Sequence, residues 1–146
     1  MKAIILAAGS ERGFNSVNES IPKCLIHIGE QTLLERQIEI LNLCGVKSED
    51  IIVVIGGQGD VWSEKNKETV RNIHKNIIIN DKNLETKNTY SLFLAMNTLN
   101  PTEILCIDGD VLFNKEVMER ALENQYPTFV LTKKVDKFDS GNRVLL

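Results

Sequence analysis

The run Ala3-Ile4-Ile5-Leu6 leads directly into Ala7-Ala8-Gly9-Ser10. Four consecutive apolar residues fit a strand buried on both faces, the situation of a central strand in a parallel sheet. Ala7, Ala8 and Gly9 then remove side-chain bulk at the strand's carboxyl end, so backbone N–H groups can approach a ligand closely. A buried strand that opens into a bare loop points to an α/β architecture, with ligands bound where the strands end.

The rest of the chain alternates strand-like and helix-like segments. A short apolar, strand-like stretch, Cys24–Ile28, ends in a Gly29-Glu30-Gln31 turn. Thr32 followed three residues later by Glu35 forms a capping box. Leu33, Leu34, Gln37, Ile38, Leu41 and Cys44 then fall largely on one helical stripe, which Gly45 ends. Ile51–Ile55 is a buried strand broken by Gly56-Gly57, and 61–73 reads as a charged, weakly amphipathic surface helix. Ile77–Ile79 is a strand and 80–88 a polar loop. A helix follows over Thr89–Leu99 until Pro101. Glu103–Ile107 is a strand with the acidic tip Asp108-Gly109-Asp110. Asn114 caps a helix through Leu122, Thr128–Leu131 reads as a last strand, and Lys133–Gly141 as charged and turn-like. The pattern predicts a three-layer α/β/α domain with a mostly parallel, Rossmann-like sheet. The loops after Leu6, Ile55, Ile79 and Ile107 are then expected on one edge.

Bulk properties exclude several classes. With 146 residues, 42% hydrophobic and 25% charged, the chain has the apolar content for one core. A net charge of −3 argues against nucleic acid as the main partner. Trp62 with Lys65, Lys67 and Arg71 makes no basic patch, because Glu64 and Glu68 interleave with them. No apolar run approaches membrane-spanning length. The run after Lys2 is too short for a signal peptide, and cleavage there would destroy the loop. Cys24, Cys44 and Cys106 lie far apart without a CxxC pattern, which predicts buried, reduced thiols in a cytoplasmic protein. His27 and His74 have no partner pattern and read as structural or surface residues.

Four groups of residues carry candidate chemistry. Arg12 and Lys23 bracket the first loop, and two cations beside bare backbone donors suit a phosphate chain. Lys23 follows Pro22, a rigid setting for an ammonium group; a solvated surface lysine is the plainer reading. Asp108 and Asp110 offer hard oxygen ligands for Mg²⁺, or simply end a strand and start a turn. At the start of a helix, Asn88-Thr89-Tyr90-Ser91 can read the edge of a base, or cap the helix through Asn88 or Thr89. Gly56-Gly57-Gln58 lies under a base or acceptor, or is a bend.

Leu6-Ala7-Ala8-Gly9 with Pro22-Lys23 resembles the N-terminal signature of the nucleotidyltransferases that activate sugars and small alcohols. Glu11 stands where that family usually has a second glycine, and Arg12-Gly13 puts the arginine one residue early. Asn88-x-Tyr90-Ser91-Leu92, with Asn80-Asp81 before it, is similar to a stretch of the phosphocholine cytidylyltransferase branch. The resemblance spans roughly residues 1–115. It implies the nucleotide-diphospho-sugar transferase fold and transfer of a nucleoside monophosphate from an NTP, CTP favoured, to a small phosphorylated acceptor. Lys23, Arg12 and Asp110 become the catalytic residues. Leu6, Ala7, Ala8, Gly9, Ser10, Glu11, Gln58, Asn88, Ser91 and Asp108 become nucleotide-binding, and Asp110 with Asp108 the Mg²⁺ ligands. Members are considerably longer, so residues 1–146 are expected to form a single nucleotidyltransferase domain lacking part of the C-terminal acceptor half. A further domain or a second copy would complete that pocket. Two other readings stand beside this one: a nucleotide-binding regulatory or truncated non-catalytic domain, and a metal-dependent glycosyltransferase using a nucleotide-sugar. The second of these has no need of the triphosphate-gripping loop.

Overall fold

A computed structural model describes residues 1–10 and 21–131. Its main sheet has four strands, β1 (Lys2–Leu6), β4 (Ile51–Gly56), β5 (Ile77–Asn80) and β6 (Ile104–Asp108), in the order β5-β4-β1-β6. Every pairing is parallel. A small hairpin pairs β2 (His27–Ile28) with β3 (Gln31–Thr32) across Gly29, whose φ is +70°. The helices are α1 (Leu33–Leu43), α2 (Glu64–Ile73), α3 (Asn88–Leu99) and α4 (Lys115–Leu122).

Helices pack on both faces of the sheet, so the domain is a three-layer α/β/α sandwich, as the alternation predicts. Ala3, Ile5, Ile51, Val53 and Ile55 point to one side and pack with residues of α1, α2 and α4. Ile4, Leu6 and Val54 point to the other, against Ala95, Leu92 and Leu99 of α3. The strand order reverses beside β1: β4 and β5 extend the sheet one way, and β6 lies on the other flank. The ends of β1 and β6 therefore flank a topological switch point, where such sheets bind ligands. Because all four strands run parallel, the loops after Leu6, Gly56, Asn80 and Asp108 share one edge, as expected.

Local signals place the helices. Thr32 accepts from the Glu35 N–H at 3.2 Å while Glu35 accepts from the Thr32 N–H at 2.7 Å, completing the capping box. At the other end of α1, Val46 N–H reaches Leu41 O and Gly45 N–H reaches Asn42 O, both at 3.0 Å, with Gly45 at φ +86°. This pair of bonds is the glycine stop that the sequence signals. Asn114 caps α4 through the Val117 N–H at 3.0 Å. α2 starts later than its pattern suggests, because Ser63 caps it and 61–62 belong to the preceding turn. Its outer face is charged, as expected, but Asn66, Lys67 and Val70 are buried.

Three expectations are corrected. Thr128–Leu131 is not a strand; these residues are exposed coil. Strand propensity needs a partner edge or an apolar face to cover, and among the described residues this segment has neither. Cys24 is buried, but in a 3₁₀ turn (Lys23–Leu25) rather than a strand. Cys44 is only half-buried and Cys106 is exposed. Cys106 shares its face of β6 with Ile104 and Asp108, and all three are exposed. The turn-like reading of Lys133–Gly141 lies outside the described residues.

Candidate nucleotide site

A cleft of about 260 Å³ opens at the switch point. Its floor is the end of β1. Ala7 N–H still bonds to Val54 O at 2.8 Å, so strand pairing carries the chain to the start of the loop. Leu6, Ala7, Ala8, Gly9 and Ser10 all line the cleft. Among the described residues, a Cβ at Gly9 would meet nothing within 4 Å, so no packing contact with them demands glycine there. The bare backbone leaves room that a ligand can use.

The opposite wall is the tip of β6. Gly109 N–H bonds to Leu6 O at 2.8 Å, and a Cβ at Gly109 would fall 2.8 Å from that of Ala7. Only glycine lets the two loops lie this close. The parallel register puts Asp108 on the same face as Leu6, towards α3, and there Asn88 Nδ2 donates to Asp108 Oδ1 at 2.9 Å. Asp110 Oδ2 lies 3.2 Å from Lys23 Nζ. Lys23 follows Pro22, held at φ −67°. Burial, and then the neighbouring charge of Asp110, raise the Asp108 carboxyl above the usual carboxylate range; the Asn88 bond opposes this.

α3 and the loop before it close the third side. Asn80, almost fully buried, donates to Ser91 Oγ at 3.0 Å and Thr86 Oγ1 at 3.1 Å, and accepts from Lys82 N–H at 2.9 Å. The amide thus fixes the loop and the first turn of α3 together. Lys87 is the N-cap of α3 and makes no side-chain cap, and Asn88 spends its amide on Asp108. Neither Asn88 nor Thr89 acts as the cap, so the capping alternative fails. Cys24 also lines the cleft, its thiol pushed up to about 12, chiefly by burial. It is protonated at neutral pH and no nucleophile.

The structure thus brings together Leu6, Ala7, Ala8, Gly9, Ser10, Lys23, Asn88, Ser91, Asp108 and Asp110. Arg12 and Glu11 lie outside the described residues. Gln58 does not line the cleft; Asn83 clasps its backbone, accepting from Gln58 N–H and donating to Gln58 O, each at 2.9 Å. The two glycines before it are packing positions. A Cβ at Gly56 would lie 2.4 Å from Trp62, and one at Gly57 2.3 Å from Asp81.

Sequence reasoning missed three supports. Trp62 donates to Gly9 O at 2.8 Å, and Lys67 Nζ donates to Gly57 O at 2.8 Å. Gln37 donates to both Asp108 O, at 3.0 Å, and Val111 O, at 2.7 Å. The available signal for Gln37 was a polar residue on the apolar stripe of α1.

Comparisons with known proteins agree with this geometry. A choline-phosphate cytidylyltransferase of Streptococcus pneumoniae is 34% identical over 115 residues, covering 78% of this chain and 47% of the relative. A bifunctional sugar-1-phosphate nucleotidylyltransferase/acetyltransferase of Sulfurisphaera tokodaii is 35% identical over 116 residues, covering 80% of this chain and 26% of the relative. The solved CTP:phosphocholine cytidylyltransferase of Streptococcus pneumoniae superposes with a TM-score of 0.59 at 30% identity, over 79% of this chain and 49% of that one. The chain therefore spans about half, or less, of the length of these relatives. No helix among the described residues is long and apolar enough to cross a membrane. The family model of the MobA-like NTP transferase domain matches residues 3–137, and with the bare β1 loop facing two carboxylates at the switch point of a parallel sheet, the chain belongs to that nucleotidyltransferase family.

Proposed function

We propose that residues 1–146 act as one unit that binds an NTP, CTP by preference, and passes its nucleoside monophosphate to a small phosphorylated acceptor, with pyrophosphate leaving. The observation that carries this reading is the convergence of the Ala7–Ser10 backbone, Lys23 and the Asp108/Asp110 pair in one cleft. An oxygen of the acceptor phosphate attacks the α-phosphorus as the bond to the β-phosphate oxygen breaks. A phosphate monoester is already largely dianionic near neutral pH, its second pKa being about 6, so no general base is needed. Positioning and charge neutralisation then do the catalysis. The Ala8–Ser10 backbone and Lys23 hold the departing pyrophosphate, with Arg12 as the second cation.

Asp108 and Asp110 fit Mg²⁺. No group of three or more His, Cys, Asp and Glu among the described residues forms a metal cage. Mg²⁺ needs none, because it is commonly held by one or two carboxylates plus substrate phosphates and water. Burial first, and then the neighbouring charge of Asp110, raise the Asp108 carboxyl, and a bound cation would offset both effects. When bound, the ion supplies charge neutralisation to the phosphate oxygens. Choline-phosphate cytidylyltransferases among the relatives and the Asn88-x-Tyr90-Ser91-Leu92 stretch support CTP and a phosphocholine-like acceptor; a sugar phosphate is the runner-up, on the sugar-1-phosphate relative. Free thiols at Cys24, Cys44 and Cys106 fit a reducing, cytoplasmic setting.

The test is pyrophosphate release from CTP, UTP, dTTP, ATP and GTP, each with phosphocholine or a hexose 1-phosphate, with and without Mg²⁺. Turnover limited to one base and lost in Lys23→Ala and Asp110→Ala is expected. Turnover that survives either substitution overturns the mechanism. Nucleotide binding without turnover indicates a regulatory or non-catalytic domain.

A further inference from the structure

We infer that Gln37 is the positioning residue of the carboxylate pair, an inference that rests on the reading of Asp108 and Asp110 as the metal-holding end of the site. Gln37 lies on α1 and is 1% exposed. Its side-chain amide donates to the carbonyls of Asp108 and Val111, at 3.0 and 2.7 Å. The two carbonyls bracket the turn that carries Gly109 and Asp110, so one planar NH₂ group fixes the distance between the turn's ends.

The other end of the same amide shows what the arrangement costs. Gln37 Oε1 is buried and has no hydrogen-bond partner among the described residues. An unsatisfied buried acceptor is expensive, and an apolar side chain at this place on the stripe avoids that cost. Glutamine is favoured here only by what its two N–H groups do, and both go to the acidic turn. Without them the turn keeps Gly109 N–H on Leu6 O at 2.8 Å and a weak bond from Val111 N–H to Asp108 O at 3.3 Å. The first holds the centre of the turn, while the second closes it only loosely. Asp108 and Asp110 line the same cleft, and two carboxylates placed together repel one another. A loosely closed turn lets the two carboxylates move apart, and a cation that needs both then binds less well. Gln37 ties their backbone to α1, a helix capped at both ends, and so gives the carboxylates a fixed base. Groups that orient ligands from behind typically change metal affinity by about 10- to 100-fold when removed.

The experiment compares the whole chain with Gln37→Met, which keeps length and loses both donors. Amide hydrogen exchange is followed residue by residue, and Mn²⁺ affinity is measured by electron paramagnetic resonance in saturating CTP. Exchange at Gly109 and Val111 is expected to rise about tenfold relative to Ile5 and Val53, with Mn²⁺ affinity falling by about tenfold or more. Unchanged exchange in the turn overturns the inference. A rise shared equally by the whole sheet also overturns it, since Gln37 is then only a core residue. If the wild type binds no Mn²⁺ while the turn loosens selectively, the positioning role stands and the metal reading of Asp108 and Asp110 falls. Should Gln37→Met fail to fold, Gln37→Glu takes its place. Burial raises the pKa of that carboxyl, so at pH 5 it offers one O–H where glutamine offers two N–H. A smaller effect confined to the same turn supports the inference, and no effect overturns it.

Discussion

Trp62 donates its indole N–H to the carbonyl of Gly9 at 2.8 Å, across 53 residues of chain. The bond ties the loop after β1 to the segment between β4 and α2. The ring is 2% exposed and occupies the space that a side chain at position 56 would need. Gly56, Trp62 and Gly9 therefore interlock, and the carbonyl of Gly9 is fixed by a residue that does not line the cleft.

Replacing Trp62 by Phe retains a ring and removes the donor. The expected cost is about 1–3 kcal/mol of stability, since the Gly9 carbonyl loses its partner. Nucleotide binding is expected to weaken as well, because the loop's N–H groups lose their reference point. Urea unfolding with a nucleotide thermal shift checks both effects. A nucleotide at about 100 times its Kd adds roughly 2.7 kcal/mol to the wild type. If Trp62→Phe shows the full shift, the tether does not matter for binding.

Gly109→Ala tests the closeness of the two loops. The added methyl meets Ala7 Cβ at 2.8 Å, Ala7 Cα at 2.9 Å and Leu6 O at 3.0 Å, and most of these atoms are backbone or fixed to it. Overpacking of this kind costs about 1–3 kcal/mol. The bond from Gly109 N–H to Leu6 O should lengthen, and nucleotide affinity should fall with it. Retained thermal stability together with unchanged binding would show that the loops separate at no cost.

Lys23→Met separates charge from stability. The pair with Asp110 is 3.2 Å long, and its side chains are 40% and 48% exposed. Such pairs contribute at most about 1 kcal/mol. The unfolding midpoint should therefore barely move, while nucleotide affinity falls sharply and becomes less sensitive to salt. A large drop in stability with binding intact would make Lys23 a structural residue.

Much of the fold was legible because it follows from local rules. The capping box at Thr32 and Glu35, the stop at Gly45 and the cap at Asn114 are chemical signals confined to a few residues. The Ile51–Ile55 run needed no context to be recognised as a buried strand. Thr128–Leu131 reads as a strand just as strongly, but a strand needs a neighbour, and one segment's sequence does not say whether it has one. In the site, the residues legible beforehand were those of the loop and the acidic tip, whose own chemistry marks them. Gln37, Trp62 and Lys67 act on backbone carbonyls 10 to 74 residues away. Nothing in the sequence pairs a side chain with so distant a carbonyl; only the fold does. Cys106 was misjudged for a related reason: its own residues do not reveal that β6 is the end strand of the described sheet, where one face is left open.

The capping box gives the pH dependence, and its sign can be worked out. The Glu35 carboxylate accepts from the Thr32 N–H and from its hydroxyl, both at 2.7 Å, and these bonds hold it below the usual carboxylate range. A carboxyl whose pKa is lowered by folding adds stability above its unfolded value, 4.5 for Glu35. That contribution is lost as pH falls from there through the folded-state value. Glu35→Gln should therefore be less stable than the wild type at pH 7, with the gap closing progressively below pH 4.5. Thr32→Ala removes the other half of the box and should cost about 1 kcal/mol at pH 7. Urea midpoints of the three proteins between pH 3 and pH 7 check both statements; a gap between wild type and Glu35→Gln that does not narrow in acid would show that the carboxylate's charge is not what the cap uses. Since α1 carries Gln37, the same substitutions should also loosen the acidic turn, and exchange at Val111 should rise in Thr32→Ala.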